Sequence, residues 1–152
     1  FLQKKRNILR EYIEENAIAY SVKFIHNDVI DKINILKATM KGMHECIDDI
    51  RKNIEIDSLL IDGDRFEPYM DHNFECIEHH CIVGGDDKYK CIGAASILAK
   101  TYRDEYIKDL VKKDPELEKY GLLSNKGYGT KVHREAIKEY GLTKYHRKSF
   151  KI

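Results

Sequence analysis

Two aspartates in this chain could do metal chemistry. Asp62 ends the run Leu59-Leu60-Ile61-Asp62-Gly63. Three apolar residues, a carboxylate and a glycine predict a short strand, buried on both faces, that leaves the core at its acid. In open α/β sheets ligands gather beyond the carboxyl ends of strands, where Asp62 would stand. Asp also commonly starts turns, and a plain turn accounts for it too. Asp104 lies one helical turn after Lys100 and one before Lys108. A solvated charge-paired helix face explains that spacing as well. Brought to one rim, two carboxylates suit Mg²⁺ or Mn²⁺, hard cations that prefer oxygen. Two such ions about 3.5–4 Å apart can activate water and stabilise the leaving oxygen of a phosphodiester. Two acids are too few for such a pair, so further ligands are required.

Other residues carry weaker signals. Cys76, His79, His80 and Cys81 have zinc-ligand types, but on a strand alternate residues face opposite sides, so four ligands do not converge. Gly84-Gly85-Asp86-Asp87 precedes a helical stretch and reads either as a phosphate cradle of backbone N–H groups or as a turn and cap. Tyr128 stands between Gly127 and Gly129, which leaves its ring uncrowded for stacking on a sugar or base; a tyrosine closing a core edge fits equally. Lys126, Lys131, His133, Arg134, His146, Arg147 and Lys148 make the C-terminal third basic. With Tyr128 and Tyr145 interleaved, that suits a polyanion surface, against the alternative of a solvated charged face.

The elements that must position these residues follow from periodicity. Ile8, Leu9, Tyr12, Ile13 and Ala17 predict an amphipathic helix over 2–17. Tyr20, Val22 and Phe24 alternate with polar residues and predict a strand. Asp28 or Asp31 is the expected cap of a second helix striped by Leu36, Met40, Met43, Ile47 and Ile50. After the strand ending at Asp62, residues 64–73 read as a loop and Glu75 to Val83 as another strand. From Cys91 the chain is helical, with small residues Gly93 to Ser96 that permit close approach to a sheet. Pro115 and Gly121 fall in a connecting loop, and Thr130 caps a last helix closed by Gly141. The order predicts α/β architecture with some parallel pairing.

The 152 residues suffice for one domain with a core. With 27 basic and 26 acidic residues, any nucleic-acid contact must come from a local patch. No apolar run is long enough to span a bilayer, so no membrane partner is expected. The four cysteines lack paired C-x-x-C spacing and read as reduced thiols of a cytoplasmic protein. The chain opens at Phe1 inside a basic helical segment, which suggests a fragment.

Several blocks together resemble one family. They are Asp31-Lys-Ile-Asn-Ile-Leu-Lys-Ala-Thr39, Ile61-Asp62-Gly63, Gly85-Asp-Asp-Lys88, Ala94-Ala-Ser-Ile-Leu-Ala-Lys100 with Arg103-Asp104, Lys126-Gly-Tyr-Gly-Thr130 with His133, and His146-Arg-Lys-Ser-Phe150. Their order and spacing resemble type 2 ribonuclease H (ribonuclease HII) of the bacterial kind. The resemblance implies a ribonuclease H-like mixed sheet flanked by helices. It implies endonucleolytic hydrolysis of RNA in RNA–DNA hybrids and of ribonucleotides embedded in DNA, leaving 5′-phosphate and 3′-hydroxyl ends. Of four family acids, Asp62 matches the third and Asp104 the fourth, as metal-binding catalytic residues. Tyr128 matches the tyrosine that packs on the deoxyribose beside the cut. Lys126, Lys131 and Arg147 are expected on substrate phosphates from their local charge.

The family's Asp-Glu-x-Gly-Arg-Gly motif, with two acids and the sensor of the ribose 2′-hydroxyl, does not occur in this sequence; neither does its Asp-Ser-Lys-Lys stretch. Phe1 to Arg6 aligns just after them, so the chain resembles the C-terminal two-thirds of the enzyme, one domain over 1–152 without its opening strands. That implies an unpaired sheet edge and cleavage by this chain alone below about 0.1% of the full enzyme. The missing N-terminal segment or a second chain is then an expected partner. The alternatives are a non-catalytic hybrid-binding or structural fragment, or type 3 ribonuclease H.

Overall fold

The computed structural model describes residues 2–150. Helix α1 (Leu2–Asn16) opens the chain, followed by α2 (Asn27–Ile33) and α3 (Ile35–Arg51). Strands β1 (Ser58–Asp62) and β2 (Glu78–Ile82) pair in parallel, Leu60 opposite His80 and Asp62 opposite Ile82. Then come the short α4 (Gly85–Lys88), the long α5 (Lys90–Lys113), a 3₁₀ segment (Pro115–Tyr120), α6 (Leu122–Asn125) and α7 (Lys131–Tyr140). Helices pack beside a small parallel sheet, the mixed α/β architecture the sequence predicts, consistent with a ribonuclease H-like fold.

Three local expectations change. The alternating stretch Tyr20 to Phe24 forms no strand. Its side chains are used singly: the Ser21 hydroxyl donates to Asp49 at 2.8 Å, and the Phe24 ring meets Tyr106 at 5.1 Å. β1 is not buried on both faces. Ile61 is 7% exposed but Leu60 is 37% exposed, because the two-stranded sheet leaves part of the strand uncovered. Neither Asp28 nor Asp31 caps α3. The cap is Asn34, at φ 72°, whose side chain accepts from the Lys37 N–H at 3.0 Å.

The main buried cluster lies at the C-terminal end. Ile107 and Val111 of α5, Leu117 and Tyr120 of the 3₁₀ segment, Leu122 of α6 and Ala136 of α7 pack together. The expected connecting loop is therefore ordered. Pro115 starts a 3₁₀ turn, where its missing N–H costs nothing, and Gly121 turns the chain at φ 68°. The Thr130 hydroxyl accepts from the His133 N–H at 3.3 Å and caps α7, and Gly141 closes that helix, as the sequence predicts.

The two ends of this fold are clasped across a long stretch of sequence. The Asn27 amide donates to the carbonyls of Lys144 (2.7 Å) and His146 (3.1 Å). The Asp31 carboxylate accepts from the Lys148 N–H (3.0 Å), the Ser149 N–H (2.9 Å) and the Ser149 hydroxyl (2.8 Å). The bonds from Ser149, then those from Lys148, hold the Asp31 carboxyl below the usual carboxylate range.

Candidate active site

Asp62 stands at the carboxyl end of β1, exposed, where the backbone leaves the sheet. The exit depends on glycine. Gly63 sits at φ 100°, in the left-handed region, and its N–H still reaches the Ile82 carbonyl at 2.9 Å. One Asp62 oxygen accepts from the Gly85 N–H at 3.0 Å. A Cβ at Gly85 would lie 2.7 Å from the Ile92 side chain and 3.4 Å from the Asp62 carboxylate. Gly84-Gly85 thus forms a left-handed turn that brings an N–H onto Asp62. The turn caps α4 through Gly84 and anchors Asp62 through the Gly85 N–H.

Asp104 lies on α5, half-buried, in a groove between α1 and α5 that Arg10, Glu14, Glu105 and Lys108 also line. Among the described residues it forms no ion pair with Lys100 or Lys108. The groove's walls are fastened by Arg10, which donates to Glu14 at 2.9 Å and Glu105 at 2.6 Å and stacks 3.7 Å from the Tyr102 ring centre. The Tyr102 hydroxyl donates to Glu14 at 2.7 Å. That bond, then Arg10, keeps the Glu14 carboxyl low. α5 also packs against β1, so one helix serves both regions. No hydrogen bond joins Asp62 to Asp104, and no cluster of three or more potential metal ligands forms among the described residues.

Tyr128 projects from the turn between α6 and α7, 71% exposed. The turn is built from below. Asn125, buried, donates to the Tyr120 carbonyl at 2.7 Å and accepts from the Gly127 N–H at 2.9 Å. The Tyr128 N–H reaches the Asn125 carbonyl at 3.0 Å. The Tyr128 carbonyl accepts from the Thr130 N–H at 2.8 Å and faces His133 Nδ1 at 2.9 Å. The neighbouring backbone is left-handed at both Lys126 (φ 55°) and Gly127 (φ 86°).

Basic groups gather beside this turn. Arg103 donates to the Lys126 carbonyl at 3.0 Å, and a Cβ on Gly127 would crowd its guanidinium at 3.2 Å. The Arg147 guanidinium stacks on the Phe150 ring at 3.6 Å. Burial, then the charge of Arg103, pulls the Arg147 pKa down, against the opposing charges of Asp31 and Tyr128. Positive charge from Arg103 acting on Arg147 suits an anion near the pair. Lys131 stands apart on α7, paired with Glu135 at 3.8 Å and well exposed. Sequence reasoning took Arg103 only as the neighbour of Asp104, and His133 only as a basic residue and a member of the block around Tyr128. Their roles depend on where the turn lies, and no spacing rule reports that.

The cysteine–histidine stretch is dispersed. Cys76 bridges to Met70, the His79 ring packs against Phe66 at 5.0 Å, and His80 meets Glu78 at 3.2 Å. All four cysteines are unpaired. No helix among the described residues is long and apolar enough to cross a membrane.

The sequence model of the family described as Ribonuclease HII matches residues 2–152. Proteins named Ribonuclease HII are similar over nearly the whole chain. The one from Parabacteroides distasonis is 51% identical over 150 residues, covering 99% of this chain and 70% of its own length. That of Christiangramia forsetii is 48% identical over 149 residues, covering 98% and 70%. That of Phocaeicola vulgatus is 46% identical over 150 residues, covering 99% and 70%. With a strand-end aspartate, a glycine-flanked tyrosine and a family match along the described fold, this chain belongs to the ribonuclease HII family.

Proposed function

We propose that this chain, as a single ribonuclease H-like domain, supplies two metal-binding carboxylates and the substrate-positioning turn of a divalent-metal-dependent endoribonuclease. Family membership supports ribonuclease action on RNA–DNA hybrids. The finer reading includes ribonucleotides embedded in DNA and Mg²⁺ or Mn²⁺ as the ion. The observation that carries it is the Asp62 carboxylate, fixed by the Gly85 N–H at 3.0 Å at the open end of β1, its other oxygen accepting no hydrogen bond among the described residues.

The donor chemistry fits the group. Hard divalent ions take one or two carboxylates and complete their shell with water and substrate phosphate. Asp62 and Asp104 would hold such an ion, as part of a larger ligand set. When bound, it supplies an activated water and charge for the leaving oxygen. The remaining work belongs to side chains of this chain. Tyr128 offers an exposed ring face to a sugar. Arg147 and Lys126 offer charge to the phosphates on either side, and Lys131 adds a weaker contact farther along α7.

Manganese tests the reading directly. Mn²⁺ added to the isotopically labelled chain is expected to broaden the amide signals of Gly63 and Gly85 and those flanking Asp104. Asp62→Asn should reduce that broadening by at least about tenfold in Mn²⁺ concentration. Broadening elsewhere, or broadening indifferent to both Asp62→Asn and Asp104→Asn, sinks the assignment.

The exposed Tyr128 ring beside Arg103 and Arg147 favours a second reading, a hybrid-binding face without cleavage. Salt-dependent binding of a hybrid with no cleavage in either metal selects it.

A further inference from the structure

Two imidazoles stand behind Tyr128, and the hydrogen bonds at both ends of the pair fix their protons. His133 is 6% exposed at the start of α7. Its Nδ1 faces the Tyr128 carbonyl at 2.9 Å, and its Nε2 lies 2.9 Å from Nε2 of His146. Nδ1 of His146 lies 3.0 Å from the Thr143 N–H and 2.8 Å from the Thr143 hydroxyl. A carbonyl only accepts, so His133 carries its proton on Nδ1. Its Nε2 then accepts from Nε2–H of His146, whose Nδ1 accepts from the Thr143 N–H. A backbone N–H only donates, so the far end requires the same arrangement. One neutral tautomer pair satisfies every bond. Reversing the pair sets acceptor against acceptor at Tyr128 and donor against donor at Thr143.

We infer that His133 and His146 are positioning residues for Tyr128: a relay of two neutral rings that holds the Tyr128 carbonyl, and with it the exposed phenol ring, for a substrate sugar, and that comes apart between the rings or at the Thr143 N–H when either ring gains a second proton, which displaces His133 from its place under the turn. This rests on the proposed contact of Tyr128 with substrate.

A doubly protonated ring has no acceptor site, so at least one junction of the relay becomes two facing N–H groups. The surroundings offer little to stabilise the added charge. Tyr120 packs on both rings, at 6.2 Å from His133 and 5.0 Å from His146. Its hydroxyl is already donated to the Gly141 carbonyl at 2.8 Å. Lys119 stands 5.9 Å from the Tyr120 ring, Arg147 follows His146 in the chain, and Tyr128 meets His133 through its main chain. No carboxylate bonds to either imidazole among the described residues. Burial, then the neighbouring His133, holds the His146 pKa below its ordinary value. A lowered folded-state pKa means that the relay is intact at and above an imidazole's ordinary value of about 6.5 and is lost as pH falls through the lower folded-state value.

The sign of the pH effect separates this from simple charging. Histidines that gain charge tighten binding to a polyanion as pH falls; the relay predicts weaker binding instead.

The test uses the 152-residue chain and a DNA duplex with one embedded ribonucleotide. At pH 7.5, nitrogen-detected NMR should place protons on Nδ1 of His133 and Nε2 of His146. Between pH 7.5 and 5.5, hydrogen-exchange protection of the Thr130 amide should fall about tenfold and the duplex Kd rise roughly fivefold. His133→Asn places a donor that does not titrate where Nδ1 stands. It should keep the bond to Tyr128 and flatten both pH profiles to within about twofold. His133→Phe should lose the protection at every pH; if it does not fold, His133→Asn and the wild-type tautomers decide. The opposite tautomers, or a pH response of the turn that survives in His133→Asn, overturn the relay. Tyr128→Ala with unchanged duplex affinity overturns the sugar contact, while tautomers and amide protection still judge the relay by themselves.

Discussion

The molecule is finished at one end and open at the other. Around α7 the 3₁₀ segment, α6 and the end of α5 bury Leu117 and Tyr120 almost completely, and the polar groups there are paired. Along α1 and on one face of β1 the picture reverses. α1 buries none of its residues, Leu2, Ile8 and Tyr12 face solvent, and Leu60 is exposed on its strand. Helices occur in both regions, so the presence of secondary structure alone does not distinguish them. Burial does. The turn that presents Tyr128 rests on the finished region, and Asp62 projects from the open one. Substrate positioning and metal binding therefore stand on supports of different stiffness.

Mutations should divide along the same line. Leu117→Ala removes a fully buried side chain from the closed cluster and should cost about 3 kcal/mol in chemical unfolding. A loss under about 1 kcal/mol would mean that the closed region is loosely packed. Next come the two fastenings of α7. Thr130→Ala deletes the cap and Tyr120→Phe deletes the bond to Gly141, and each should cost about 1 kcal/mol. The smallest effects belong to the open region. Ile8→Ser should change stability by less than about 0.5 kcal/mol, yet lower the fluorescence of a dye that binds exposed apolar surface. Destabilisation by Ile8→Ser as large as that from Leu117→Ala would erase the contrast.

What was legible in the sequence follows from how local each signal is. α7 could be bounded closely because a threonine cap and a closing glycine are written into adjacent residues. The order of elements predicted some parallel pairing, and β1 pairs with β2 in that sense. The alternation at Tyr20 to Phe24 misled because a strand also needs a partner, and here Ser21 and Phe24 find α3 and α5 instead. The apolar run before Asp62 promised two covered faces, but coverage depends on neighbours that periodicity does not count. Asp62 was visible as a strand-end acid. The histidine pair was not, since twelve residues lie between its members and only the folded chain makes them face each other.

The clasp of α2 on the chain's far end has a consequence in time. Asn27 reaches Lys144 across 117 residues, and Asp31 reaches Ser149 across 118. At synthesis rates of about 5–20 residues per second, a ribosome needs roughly 6 to 25 seconds to travel that distance. For that interval the nascent Asn27 and Asp31 have water in place of Lys144 and Ser149, and α2 can pack on α3 well before those bonds form.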